Sequence, residues 1–279
     1  MAKLIQYCTT ASLYDGAFGG AVGWPAAGMG YVIHTSSGTI VIDGGHPEDA
    51  KALLELIGNA TVKLWIITHP HYDHYGALHT IAKSNDLREG LRVEKLCYYF
   101  PADLLSADGH HVCTDAQKHM KEISVAFGAE IHTPSYLESL SVGETELCFI
   151  YTPDDCTIFK GQQNANVCSL IFTVKGEHKK AIFTGDAFRR SLQMTFWRFG
   201  KELKCDILQM PHHGLCDTGN LDFYKAVNAE TVLVPISIAA DRSMNSGEHR
   251  ACDTEANLWA QSNAAKVYKA FEGTVYIDI

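Results

Sequence analysis

An apolar run at residues 62–68 (VKLWIIT) leads directly into a cluster of potential metal ligands, and this pairing limits the possible folds more than any other segment. Such a run is typical of a strand buried on both faces, as in the parallel sheets of α/β proteins. The residues that follow, 69–74 (HPHYDH), contain three histidines and one aspartate. Because the sites of open α/β sheets gather at the carboxyl ends of strands, we expect a functional site here.

The spacing of these ligands indicates two metal ions. His69 and His71 alternate along the chain, so in an extended segment their side chains project to the same side. Asp73 and His74 come at the expected start of a helix and can face a second point. Imidazole and carboxylate ligands suit zinc, and also iron or manganese. Four ligands in one short segment fit two adjacent ions better than one tetrahedral site.

Two later strand ends carry further ligands. Asp186 follows Gly185 at the end of an apolar strand, where its two carboxylate oxygens can bridge two metals. His212 and His213 follow another apolar strand, at residues 206–210. One of this pair would be a metal ligand and the other a general acid or substrate contact. We favour His213 as the ligand, although the sequence leaves the reverse assignment open.

Strands alternate with predicted helices along the whole chain, which indicates an α/β fold. We predict a hairpin at residues 31–34 and 39–42, and helices at 75–83 and 115–127, among others. A linker rich in Pro, Gly or Ser is not evident, so we expect a single domain over residues 1–279. Asp43 lies 26 residues before His69, as Asp186 lies 26 before His212, which suggests two similar half-units, 1–135 and 136–279.

Composition argues against several classes of protein. With 46% hydrophobic residues the chain is not a disordered one, and its net charge of −9 makes a nucleic-acid partner unexpected. We find neither a secretory signal nor an apolar stretch near the ~20 residues that span a bilayer, so no membrane association is expected. Nine cysteines without a CxxC pair fit free thiols, and we predict a cytoplasmic protein.

The segment His69-x-His71-x-Asp73-His74 resembles the HxHxDH signature of the metallo-β-lactamase superfamily. Within it, the chain is most similar to the branch that holds the C-terminal domain of the competence DNA-uptake channel and the phosphorylcholine esterases. Four further motifs carry this resemblance: Asp43-Gly44-Gly45, residues 164–170 (NANVCSL), Gly185-Asp186 and residues 211–214 (PHHG). The early D-V-G-Q-G-D segment of the branch is absent, so a nuclease role like that of the competence channel is not expected.

The resemblance implies a four-layer αββα sandwich and a dinuclear, most simply zinc, hydrolase. His69 and His71 would hold one metal, Asp73, His74 and His213 the other, and Asp186 would bridge them. A metal-bridging hydroxide would attack a small phosphoester or phosphodiester substrate. Asp73 and His212 would act in catalysis, and Asp43, Asn166 and His249 would support the ligands or contact substrate.

One departure from the family pattern bears on the first metal. The third histidine, usually in a TPGH-like segment, is absent from residues 152–155 (TPDD). Water, substrate, Asp155 or an asparagine could take that position. Three alternative functions remain: a lactone, thioester or amide hydrolase of the same superfamily, a di-iron redox protein, and a binding module without activity. The substrate-specifying loops are expected at residues 161–166 and 239–250.

Overall fold

A computed structural model describes residues 1–16, 27–153, 164–215, 218–246 and 254–279. Fourteen strands lie in these ranges: β1 (Lys3–Gln6), β2 (Gly30–Thr35), β3 (Gly38–Asp43), β4 (Val62–Ile66), β5 (Lys95–Cys97), β6 (Glu130–His132), β7 (Ser139–Val142), β8 (Thr145–Tyr151), β9 (Ile171–Lys175), β10 (Lys180–Phe183), β11 (Ile207–Gln209), β12 (Thr231–Val234), β13 (Lys266–Lys269) and β14 (Val275–Asp278). The α-helices within them are α1 (Ala50–Ile57), α2 (Tyr72–Lys83), α3 (Asn85–Arg88), α4 (Ala107–Phe127), α5 (Arg189–Phe199), α6 (Leu221–Val227), α7 (Ile238–Ser246) and α8 (Thr254–Asn263). Among the helices of the described ranges, none is both long and apolar enough for a membrane span.

The strands form two mixed sheets of seven strands each. The first sheet has the order β14-β1-β2-β3-β4-β5-β6, and the second has the order β13-β12-β11-β10-β9-β8-β7. Strands β3 to β6 run parallel in the first sheet, and β10 to β13 run parallel in the second. The remaining neighbours in both sheets are antiparallel. Each sheet therefore contributes a group of parallel strands whose carboxyl ends lie at one edge.

The two sheets pack face to face through alternate residues of their strands. Tyr31 of β2 meets Phe183 of β10 across the interface, with ring centroids 5.2 Å apart. Phe172 of β9 lies 5.5 Å from Phe183 within the same buried cluster. Residues of the opposite parity, such as Trp65 and Ile182, belong to a second cluster that includes side chains of the helices. Helices thus cover the outer face of each sheet, which confirms the expected four-layer αββα architecture.

Several predicted elements are observed, and others differ in extent. The hairpin of β2 and β3 is present, with Gly30 paired to Asp43 at its open end. Helix α2 starts at Tyr72 and not at residue 75, so Asp73 lies in its first turn, where the helix dipole favours a carboxylate. Helix α4 starts eight residues before the predicted residue 115, at Ala107. Strand β1 was not predicted because its four residues are too few to show a periodic pattern of polar and apolar side chains.

Candidate metal centre

The carboxyl ends of the parallel strands bring together the ligands that the sequence singles out. Two groups of three side chains have their possible ligand atoms within 4.8 Å of one another: His69, His71 and Asp186 in the first, and Asp73, His74 and His213 in the second. His69 and His71 follow β4, while Asp73 and His74 open α2. Parallel pairing of β10 with β11 places Asp186 and His213 beside each other although they lie 27 positions apart in the chain.

Asp186 lies between the two groups. Its Oδ2 atom is 3.6 Å from His69 Nε2 and 3.6 Å from His213 Nε2. Its Oδ1 atom is 3.4 Å from His74 Nε2. His212 is further away, with Nε2 3.9 Å from Asp186 Oδ2, and its side chain is 21% exposed. The aspartate thus faces both groups, and His213 lies in the second group, whereas His212 lies on the solvent side of it.

The donor atoms of the site suit metal ions. Three of them are buried without a hydrogen-bond partner among the described residues: His74 Nε2, His213 Nε2 and Asp186 Oδ1. A buried polar atom without a partner costs free energy, about 1–3 kcal/mol, unless a ligand satisfies it. All three point into the same cluster of imidazoles and carboxylates, which is the donor set that zinc, iron and manganese prefer. The residues therefore fit two cations.

Asp43 orients the second group of ligands. It ends β3 in a left-handed conformation (φ 56°) and is fully buried. Its carboxylate accepts hydrogen bonds from the Thr68 backbone N–H at 2.8 Å and from His74 Nδ1 at 2.8 Å. Since a carboxylate only accepts, His74 keeps its proton on Nδ1 and directs Nε2 at the site. The main-chain oxygen of Asp43 accepts from Trp65 Nε1 at 2.8 Å, which fixes this strand end to β4.

Gln209 and Ser169, which sequence reasoning did not single out, hold Asp186. Gln209 Oε1 accepts from the backbone N–H groups of Thr184 and Gly185, at 2.7 and 2.8 Å. Ser169 Oγ accepts from the Asp186 N–H at 3.0 Å. A buried glutamine in the apolar strand β11 is a signal that could have indicated this role, because buried polar side chains are normally hydrogen-bonded.

The turn that carries His212 and His213 is strained. Both residues have left-handed backbone angles, with φ of 47° and 56°, and Gly214 follows with φ of 78°. Such a conformation costs about 1–3 kcal/mol for each non-glycine residue and persists only where surrounding contacts impose it. His213 Nδ1 donates to the Pro235 carbonyl at 2.7 Å, so its Nε2 atom faces Asp73 and Asp186.

Charge pairing keeps both carboxylates of the centre ionised. Burial alone would raise the pKa of Asp186, but the imidazoles of His74, His213 and His69 bring it well below its usual value. The pKa of Asp73 is also lowered, since His74 and His213 outweigh its burial. In the metal-free protein the same contacts also shift the pKa values of the histidines. Although burial opposes it, Asp186 and its neighbours raise the pKa of His213 to about 9, and that of His74 well above 6.5.

These pKa values predict that metal binding releases protons. Because the pKa of His213 is raised to about 9 and that of His74 well above 6.5, we expect the metal-free protein to hold a proton on the Nε2 atom of each at pH 7, and both protons must leave before these atoms bind a cation. We expect release of about two protons per chain when Zn²⁺ is added in weakly buffered solution. The affinity should rise as the pH is raised toward 9, about tenfold per pH unit for each displaced proton. His213→Ala should release one proton fewer, and an affinity independent of pH would contradict the assignment.

The other predicted site residues have few described contacts, or lie outside the described residues. Asn166 is 2% exposed, and its Oδ1 atom is buried without a hydrogen-bond partner among the described residues. It lies one turn before Ser169, whose backbone N–H donates to the Asn166 carbonyl. His249 and Asp155 lie outside the described residues, as do residues 161–163 and 247–250 of the proposed specificity loops. Residues 239–246 of the second loop belong to helix α7, because their alanines and Met244 pack inward.

Comparisons with known proteins agree with this fold. Residues 24–142 match the family model of the metallo-beta-lactamase superfamily. The metallo-beta-lactamase fold protein YhfI from Bacillus subtilis superimposes with a TM-score of 0.60 at 12% identity, over 99% of this chain and 100% of that one. A diphosphatase from the PhnP family gives a TM-score of 0.55 at 15% identity, over 100% and 98% of the two chains. A search of curated proteins gives no match.

A diiron beta-hydroxylase, CmlA from Streptomyces venezuelae, also shares the fold. It gives a TM-score of 0.55 at 12% identity, and the match covers 99% of this chain and 54% of CmlA. The fold is the metallo-β-lactamase sandwich, and residues 24–142 match the family model of that superfamily. Its members bind two metal ions and are mostly metal-dependent hydrolases, although some are oxygenases.

Proposed function

We propose that the protein is a dinuclear metal-dependent hydrolase of phosphoesters, and of phosphodiesters in particular. The observation that carries the proposal is that Asp186, which belongs to the first group of ligands with His69, also faces His74 of the second group. The similarity of the sequence motifs to those of the phosphorylcholine esterases and the fold shared with a PhnP-family diphosphatase support phosphoester chemistry. The substrate class thus rests on resemblance, and the metal site rests on geometry.

Bound at these ligands, two divalent cations, zinc being our first expectation, would lower the pKa of a shared water and stabilise charge on the attacked phosphoryl oxygen. His69, His71, Asp73, His74, Asp186 and His213 would hold them. Asp73, whose Oδ2 atom lies 3.4 Å from His213 Nε2 at the centre, can accept a proton from the attacking water. His212 is on the solvent side of Asp186, where its Nε2 atom can donate a proton to the leaving group.

The burial of the centre limits how substrate can reach the metal ligands. His69 and His74 are fully buried, and His213 is 2% exposed, so substrate reaches the centre past His212 and His71, which are partly exposed. A buried site strengthens the attraction between ligands and cations and excludes competing water. Among the described residues the first group has three ligands, which leaves a further coordination position that substrate could take.

Metal analysis and a substrate panel test the proposal together. Protein purified without added metal is analysed by elemental mass spectrometry and then assayed against a phosphodiester, a phosphomonoester, a lactone and a thioester. We expect two zinc or manganese ions per chain and turnover of the phosphodiester first. Preferred turnover of the lactone or thioester would retain the metal centre and reject the phosphoester. Two irons with a visible absorption band would favour redox chemistry like that of CmlA, and no metal after zinc addition would contradict the proposal as a whole.

A further inference from the structure

The strained turn of His212 and His213 is held from a distant part of the chain. Asn257 of α8 reaches it with a single side chain that is 1% exposed. Its Nδ2 group donates to the Gly214 carbonyl at 2.9 Å and to the Leu215 carbonyl at 3.0 Å. These carbonyls belong to the two residues that directly follow His213. The amide therefore contacts the main chain of the turn itself and does not touch the cluster of ligands.

The amide is itself fixed in one orientation. Its Oδ1 atom accepts from the Tyr224 hydroxyl at 2.7 Å, and its Nδ2 group also reaches Thr218 Oγ1 at 3.2 Å. Because a hydroxyl of tyrosine donates to Oδ1, the NH₂ side of the amide must face the turn. Tyr224 is 2% exposed and lies in α6, which packs against α8. Both polar atoms of the Asn257 side chain are therefore hydrogen-bonded within the protein.

We infer that Asn257 is the residue that positions His213 for metal binding. The His212 N–H donates to the Gly185 carbonyl at 3.0 Å, the Leu215 N–H closes the turn on the His212 carbonyl at 2.8 Å, and the His213 ring donates to Pro235. The Gly214 carbonyl is bound by Asn257, and the Leu215 carbonyl by Asn257 and Thr218 Oγ1. Without Asn257, the main chain that follows His213 loses two of these hydrogen bonds. The turn can then relax, and Nε2 of His213 moves away from Asp73 and Asp186.

This inference rests on the proposed metal centre and predicts a selective loss. Asn257→Ala should weaken Zn²⁺ binding at the group that contains His213 by about 10–100-fold, the usual effect of residues that orient ligands. Binding at the group of His69 and His71 should change by less than about twofold. A role in folding alone would instead lower the melting temperature and weaken both sites equally.

Titration of the metal-free protein with Zn²⁺ against a chromophoric chelator measures both affinities. In a His71→Ala background, where the second group dominates binding, Asn257→Ala should keep its full effect. In a His213→Ala background it should have none, because the ligand it positions is gone. Asn263→Ala is the matched control, since this exposed asparagine of the same helix donates only within α8, to the Trp259 carbonyl.

Tyr224→Phe provides a variant of nearly unchanged shape should Asn257→Ala fold poorly. It removes only the hydroxyl that orients the amide, and should weaken the same site in the same direction by a smaller factor. Equal losses at both sites, or no loss at either, would overturn the inference while the parent protein still binds two ions. A parent protein that binds no zinc would overturn the proposed function as well, so the two failures are distinguishable.

Discussion

Asp186→Asn is expected to reduce kcat/KM for the accepted ester by at least about 10²–10³-fold. The carboxylate faces His69, His74 and His213 at 3.4–3.6 Å, and the amide that replaces it carries no charge and one acceptor in place of two. Metal content should fall below two ions per chain for the same reason. Steady-state kinetics and elemental analysis of the same preparation measure both effects.

Asp222→Asn is the matched control for this variant. Asp222 is an exposed aspartate in the first turn of α6, and it lies outside both groups of ligands. Its replacement should leave metal content and turnover within about twofold of the parent protein, as is usual for exposed positions. Far-UV circular dichroism shows whether Asp186→Asn keeps the fold. Unchanged turnover in a folded Asp186→Asn protein would contradict the assigned centre.

His213→Ala and His212→Ala are expected to fail in different ways. His213 is buried with its Nε2 atom 3.4 Å from Asp73 Oδ2, so its removal should cost one metal ion and nearly all activity. His212 lies outside the two groups of ligands, and its removal should leave two metal ions bound. Its loss should still lower kcat by about 10²–10⁴-fold, the contribution of a general acid.

The pair of variants also distinguishes the two possible assignments of these neighbours. If His212→Ala loses a metal and His213→Ala does not, the assignment is reversed. A substrate with a good leaving group, such as a nitrophenyl ester, provides an internal check. It needs little protonation as it departs, so the effect of His212→Ala should shrink with it, whereas the effect of His213→Ala should not. Equal losses with both leaving groups would argue against a proton donor at His212.

The first half of the candidate site can be proposed from local sequence alone. The residues from His69 to His74 follow a buried strand, and the alternation of His69 and His71 is visible without a structure. The start of α2 was placed three residues too late, because polar ligands at the helix start hide its periodicity. The hairpin of β2 and β3 was equally visible, since two short runs of β-branched residues flank a Ser/Gly turn.

Assigning the second half of the site, which contains His212 and His213, required more than local sequence patterns. The choice of His213 over His212 depends on two consecutive left-handed residues, and histidines carry no strong sequence signal for that conformation. The contacts that impose it come from Pro235 and from Asn257, 22 and 44 residues further along the chain. An asparagine in a helix is ordinary by composition, so nothing in the sequence marks Asn257.

The sequence by itself determined the kinds of ligand, their order along the chain and the strand ends on which they stand, because these follow from side-chain chemistry and local periodicity. The resemblance already implied how they divide between two metals, and only the tertiary structure gives the distances within each group and the position of Asp186 facing both. That division arises from the parallel pairing within each sheet and from the packing of one sheet on the other. Both depend on contacts between residues far apart in the chain, which a local pattern does not encode.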